Sequence, residues 1–251
     1  WIIHPKSFLL LYNGIKRRFD VSRKFQKAIR KEDWLMENVV ITVARGFGSG
    51  GKELSLRLAE ELGINCYENR ILTLASQLSG YDESEFVKED EKLSGGVFAS
   101  FLNKLPIIRE PRPERKEFVH NWELFDYQAK IIRDLADTES CVIVGKCADY
   151  VLRGRKNVIS VYIEAPRPYC RERIMRKMNI GPAEADELIS KTDKYRAEYY
   201  QHYTGGNYWT NPVNYDLTLD SEKVGQDNCI EIIKHYISIK FPDVKFEGKK
   251  K

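Results

Sequence analysis

From Val39 onward the chain alternates between two hydrophobic patterns. Val39 to Ala44 (VVITVA), Cys141 to Gly145 (CVIVG) and Val158 to Ile163 (VISVYI) are apolar runs rich in β-branched residues, which predicts buried strands. Between them, apolar residues recur at helical spacing. Leu54, Leu58 and Leu62 lie four apart and Gly63 follows, which predicts a helix ended by glycine. The same spacing predicts helices over 69–79, 116–137, 167–178, 182–203 and 225–240, with Pro182 at the start of the fourth. Shorter strands are expected at Asn65 to Tyr67 and at Tyr215 to Leu219. Strands alternating with helices predict an α/β fold.

Residues 80–115 break the alternation, with mixed charge and prolines after Leu105, and are expected to be a mobile insertion rather than a domain. Residues 246–251 read as a basic, frayed tail. No internal repeat is present. The 251 residues, 42% apolar and 31% charged, suit one globular domain. The net charge of +4 is carried by the first segment. Residues 1–35 hold nine Lys or Arg and three acids, leaving 32 basic and 34 acidic residues in the remainder. That balance argues against nucleic acid as a partner of the core.

Position 1 is Trp, the first Met is Met36, and Lys31-Glu32-Asp33 can be encoded by a purine-rich ribosome-binding sequence. The expectation is that the native chain begins at Met36 and that residues 1–35 are translated upstream sequence; the alternative is a genuine basic arm. The five cysteines form no CxxC pair and are odd in number, which supports neither a metal site nor a disulfide framework. No apolar run approaches the roughly 20 residues of a membrane span. A cytoplasmic protein without a membrane partner is expected.

Candidate chemistry enters at Gly46 to Lys52, GFGSGGK. Gly46, Gly51 and Lys52 match the P-loop pattern GxxxxGK[ST], with Glu53 where a hydroxyl residue is usual. Glycines let backbone N–H groups curl around phosphate oxygens, and the next helix points its positive end at the same anion. Gly46, Gly48, Ser49, Gly50, Gly51, Lys52 and Glu53 are therefore candidate ATP-binding residues. Gly46, Gly48 and Gly51 also spell the dinucleotide pattern GxGxxG, with Glu68 near the place of its ribose-binding acid, so an oxidoreductase stays open as a rival.

Phosphoryl transfer requires positive charge around the transfer point. Arg171, Arg173 and Arg176 follow the Val158 to Ile163 strand, and Arg173 and Arg176 share a helix face. Asp193 and Arg196, also three apart, can hold an acceptor nucleotide or form an ordinary ion pair. Lys146 stands at the end of the Cys141 to Gly145 strand, where open α/β sheets bind ligands, and Asp149 follows as a substrate contact or a helix cap. Tyr199, Tyr200, Tyr203, Tyr208 and Trp209 can stack on a base or pack a core.

The runs ITVARGFGSGGKELSLRLAEELGI, CVIVGKCADYVL, VYIEAPRPYCRERI, DKYRAEYYQHYTGGNYW and NYDLTLDS, in that order, resemble the cytidylate kinase-like family over nearly all of residues 38–240. The resemblance implies a P-loop NTPase fold with a five-stranded parallel sheet flanked by helices, an acceptor-binding insertion and a lid. It implies one kinase domain over 36–245, with lid and acceptor-binding helices over 167–210. The activity implied is transfer of the γ-phosphoryl of ATP to CMP or dCMP with Mg²⁺. Lys52, Arg171 and Arg173 would be catalytic, Arg171, Arg173 and Arg176 would form the lid, and Glu68, Arg70, Lys146, Asp149, Asp193 and Arg196 would face the acceptor.

Three positions depart from the usual pattern. Glu53 replaces the magnesium-binding hydroxyl of the general P-loop, an acid this branch often carries, and is the candidate metal ligand. Lys146 stands where Arg is usual and loses a two-pronged phosphate grip. Glu68 stands where Asp is usual. The last two leave a non-catalytic ATP-binding regulator as a further alternative. Small-molecule nucleotides are the expected partners, and a monomer is expected with a dimer as the alternative.

Overall fold

The computed structural model describes residues 38–80 and 121–246. The expectations for the leader 1–35, for the insertion beyond Gly80 and for the tail from residue 247 fall outside the described residues. Five strands form one all-parallel sheet in the order β2-β3-β1-β4-β5. They are β1 Val40–Arg45, β2 Asn65–Tyr67, β3 Cys141–Val144, β4 Val158–Glu164 and β5 Leu217–Asp220. The helices are α1 Gly51–Leu62, α2 Arg70–Ser79, α3 Asn121–Thr138, α4 Ala148–Val151, α5 Arg167–Met178, α6 Pro182–Tyr203 and α7 Gln226–Lys240.

β1 is central because it is apolar on both faces. Val40, Ile41 and Val43 are at most 1% exposed, and Val40 pairs with Cys141 on one side and Val158 on the other. α1 packs on β1 and β3 through Leu54 and Leu58 and meets α7. A second layer joins Ile71 of α2 and Ile132 of α3 to Val40 and Ile143. An aromatic cluster of Phe125, Tyr162, Tyr199, Tyr200, Tyr203, Trp209 and Tyr215 anchors the C-terminal half of α6 to the sheet. Cys170 and Ile174 of α5 pack against Ala185 and Ile189 of α6.

β1 and β4 each run one residue past their apolar patterns, because Arg45 pairs with Ile163 of β4 and Glu164 pairs with Asp220 of β5. β5 begins at Leu217, later than expected. Pro212–Asn214 form a 3-10 turn, and Tyr215 stacks on Tyr162 with ring centroids 5.3 Å apart. After β3 the backbone takes positive φ at Gly145, Lys146 and Cys147 in succession before the short α4. For the two non-glycine residues this conformation is costly, and such strain concentrates at sites where position matters.

Ile143 is fully buried in the same core cluster as Ile71 and Ile132. Ile143→Ala is expected to lower stability by about 2–5 kcal/mol, read as a shift of the urea midpoint with unchanged slope.

Candidate active site

A cavity of about 930 Å³ opens at the C-terminal ends of the parallel strands. Its floor is Arg45 at the end of β1, Glu68 just after β2, and Gly145 and Lys146 after β3. Open α/β sheets bind ligands at this edge, where the strand order reverses about the first strand.

The glycine loop leaves β1 and enters α1 within Gly46–Gly50. Gly48 and Gly50 take φ of +91° and +84°, a region that L side chains rarely adopt. A Cβ at Gly48 would lie 2.8 Å from the Cys170 carbonyl oxygen, so glycine is also a packing requirement there. The loop is held from several sides. Gly46 N–H donates to Ile163 O (3.0 Å), Phe47 N–H donates to Asp193 Oδ1 (2.8 Å), and Ser221 Oγ–H donates to Ser49 O (2.6 Å). Ser49 is fully buried, and its hydroxyl bonds Gly46 O at 2.9 Å. The first N–H groups of α1 have no intrahelical partner, by the geometry of any helix, and the positive helix end favours an anion at Lys52.

Lys52 is half exposed and its Nζ lies 2.5 Å from Glu68 Oε2. The other Glu68 oxygen meets Arg45 Nη2 at 3.1 Å. Burial alone would raise the Glu68 carboxyl, but Lys52 and Arg45 outweigh it and hold it below its ordinary value. Glu53 is engaged in the same way on the opposite side, with Lys177 Nζ at 2.5 Å and Arg173 Nη2 at 3.8 Å. Those cations overcome burial and hold its carboxyl low.

Arg196 of α6 donates from Nη1 to Arg45 O (2.9 Å) and to Asp193 Oδ1 (3.3 Å), with its guanidinium 5.5 Å from the Phe47 ring centroid. Burial, reinforced by the Arg45 charge, pulls Arg196 down to about 9. Burial pushes the Asp193 carboxyl up, only partly offset by Arg196 and the Phe47 N–H. Asp149 accepts a 2.6 Å hydrogen bond from Tyr200 Oη, and burial pushes its carboxyl up as well. Tyr195, Tyr199, Tyr200 and Trp209 supply an aromatic wall. Three of these also belong to the buried aromatic cluster, so the core packing and the cavity wall are one surface.

The cavity gathers Gly46, Gly48, Gly50, Gly51, Lys52, Glu53, Glu68, Lys146, Asp149, Arg173, Arg176 and Arg196 from the sequence-derived candidates. Ser49, Arg70, Arg171 and Asp193 stand outside its lining. Ser49 and Asp193 shape the loop from behind. Arg70 is exposed and lies 5.7 Å from the Tyr67 ring centroid. Arg171 is turned to Asp186 at 3.1 Å. Arg173 reaches the loop itself, its Nε donating to Gly48 O at 3.1 Å. Sequence reasoning missed Arg45, Lys177 and the Phe47 N–H. A charged residue ending a buried strand directly before a glycine loop was the signal that pointed to Arg45; Lys177 carried no signal of its own.

An all-parallel sheet with its glycine loop and Lys52 between the central strand and the first helix defines a P-loop phosphotransferase class of site. The family model of the cytidylate kinase-like family matches residues 40–223, and the chain belongs to that family. Two relatives are cytidylate kinases. That of Methanopyrus kandleri is 22% identical over 209 residues, 78% of this chain and 92% of the relative. That of Methanosarcina mazei is 26% identical over 198 residues, 77% of this chain and 93% of the relative. Among solved structures, an uncharacterized protein from Eubacterium ventriosum is 25% identical, with a TM-score of 0.58, over 80% of this chain and 99% of that one. Among the described residues no helix is long and apolar enough to cross a membrane.

The folded Glu68 carboxyl lies below its ordinary value of 4.5. Its ion pairs therefore stabilise the fold fully above that value and cease to as pH falls through the lower folded value. Glu68→Gln is expected to flatten the fall of the melting temperature as pH drops below about 4.5, relative to the wild type.

Proposed function

We propose that the protein is a nucleoside monophosphate kinase that transfers the γ-phosphoryl of ATP to CMP or dCMP. The observation that carries this reading is the single cavity joining Lys52, at the head of α1, to the Arg196, Lys146 and Asp149 side of the sheet edge. The two cytidylate kinase relatives support CMP or dCMP as the acceptor. The same lining gives an oxidoreductase little support, since Glu68 is held by Lys52 and Arg45 rather than presented to a ribose.

In this reading ATP phosphates lie along Gly46 to Glu53, with Lys52 on the β- and γ-phosphates. Lys146 and Arg196 hold the acceptor phosphate, Arg70 joins them if it turns in from outside the cavity lining, Asp193 orients Arg196, and Glu68 is the anion shared by Lys52 and Arg45. Asp149 and the aromatic wall receive the base. Arg173 and Arg176 on α5 form the lid, joined by Arg171 once Asp186 releases it. Lid closure excludes water that would otherwise take the phosphoryl group. The acceptor phosphate is already anionic, so no general base is required.

Among the described residues there is no cluster of three or more His, Cys, Asp or Glu side chains able to cage a metal. Mg²⁺ commonly binds through one or two carboxylates plus substrate phosphates and waters, so Glu53 alone, freed from Lys177, fits that role. When bound, the ion neutralises charge on the transferring phosphates. The five free thiols fit a cytoplasmic setting, and small-molecule nucleotides are the partners.

A coupled assay with ATP and a panel of CMP, dCMP, UMP and AMP is expected to show fastest turnover with CMP or dCMP. Absence of turnover by well-folded protein would sink the proposal, and ATP binding without acceptor-dependent ADP release would favour a non-catalytic regulator. Lys52→Ala is expected to cut kcat by about 100-fold or more with little change in melting temperature. Glu53→Gln is expected to raise the Mg²⁺ concentration that gives half-maximal rate; an unchanged requirement would remove Glu53 as the ligand.

A further inference from the structure

Arg45 lies outside the P-loop pattern, yet its guanidinium occupies the cavity floor. Its side chain is only 17% exposed. It reaches across the end of β3, so that a Cβ on Gly145 would lie 2.4 Å from Nη1. Nη2 meets Glu68, while Nε is buried without any hydrogen-bond partner. A buried donor left unsatisfied is costly and calls for an explanation such as an absent ligand.

The local charges point to what that ligand is. Among the described residues, Arg45 and Lys52 pair with Glu68, and Arg196 pairs with Asp193. Glu68 is shared between Arg45 and Lys52, one oxygen each. Asp193 is shared between Arg196 and the Phe47 N–H. With its Nη2 on Glu68, the buried Arg45 still carries at Nε a donor that no carboxylate oxygen reaches. A phosphate group brings negative charge to these cations and several acceptor oxygens at once, and guanidinium matches it well.

The side of the sheet decides which phosphate. Arg173 lies over Gly48 from α5, which follows β4. Arg45 instead faces Gly145 and Glu68, which follow β3 and β2 on the other side of β1. The loop and α5 serve the donor, which leaves the β2–β3 side for the acceptor.

We propose that Arg45 is a further substrate-binding residue that holds the acceptor's phosphate on the β2–β3 side of the cavity. Glu68 is the internal anion that occupies Arg45 until that phosphate arrives. The inference rests on the kinase reading above for the word acceptor, and on the geometry of Arg45 for the anion.

The test is calorimetric titration of the full chain, wild type, Arg45→Gln and Arg45→Lys. The ligands are the panel monophosphate that binds the wild type best, its nucleoside, and a non-hydrolysable ATP analogue. Arg45→Gln is expected to weaken the monophosphate by about 10-fold or more, with the nucleoside and the ATP analogue within about twofold. Arg45→Lys is expected to fall between, because it keeps charge but loses the planar fork. In steady state the loss is expected in KM for the acceptor and not in KM for ATP.

Unchanged monophosphate affinity, or an equal loss for the ATP analogue, overturns the proposal. Should Arg45→Gln fail to fold, Arg45→Lys alone decides by the same comparison. A wild type that binds monophosphates without phosphorylating them sinks the kinase reading and leaves Arg45 to be judged on affinity. A wild type that binds none overturns both.

Discussion

The chain must leave the central strand of a parallel sheet and begin a helix within the few residues from Gly46 to Gly50. That sharp turn demands positive φ at Gly48 and Gly50, and leaves no room for a side chain at Gly48 against the Cys170 backbone. Its position is set from behind by the Ile163 carbonyl, Asp193 of α6 and Ser221 after β5. Because these anchors come from β4, α6 and the far edge of the sheet, the loop is only as well placed as the whole parallel core. In return it aims the head of α1 and Lys52 into the same cavity that Arg45, the last residue of β1, enters from below.

Concentrating cations there creates a second constraint. Lys52, Arg45, Arg173, Lys177 and Arg196 would repel one another in a partly buried site without internal anions. Glu68, Glu53 and Asp193 meet that need, each shared between two donors. Such pairs add little net stability where exposed, but they hold the cationic side chains around one cavity. In the proposed function, binding is an exchange of anions, carboxylate for phosphate, rather than the creation of a charged site from nothing. This arrangement fits a member of the cytidylate kinase-like family in which Glu53 stands in place of the loop hydroxyl.

The element order was legible in the sequence, since it follows from local patterns. β2 is found at Asn65–Tyr67, α5 at Arg167–Met178 and α6 at Pro182–Tyr203, each where periodicity and Pro182 put them. The misses were of a different kind. β5 starts late because Tyr215 is recruited to an aromatic stack, and α4 follows a strained turn that no local signal announces. The aromatic residues of α6 defeated a choice between base stacking and core, because Tyr199 and Tyr200 have one side in each.

The sequence by itself determined the α/β class, the glycine loop and part of the set of charged residues that line the cavity. Those depend on the φ demands of single residues and on spacing along one strand or helix. Only the tertiary structure decided which charges meet. Phe47 and Asp193 are 146 positions apart, Glu53 and Lys177 are 124 apart, and Arg45 and Glu68 are 23 apart at the ends of strands separated by β3. It also turned Arg171 toward Asp186 and brought the overlooked Arg45 onto the cavity floor. Electrostatic partners are chosen by distance in space, and helical or strand periodicity carries no record of that distance across a sheet.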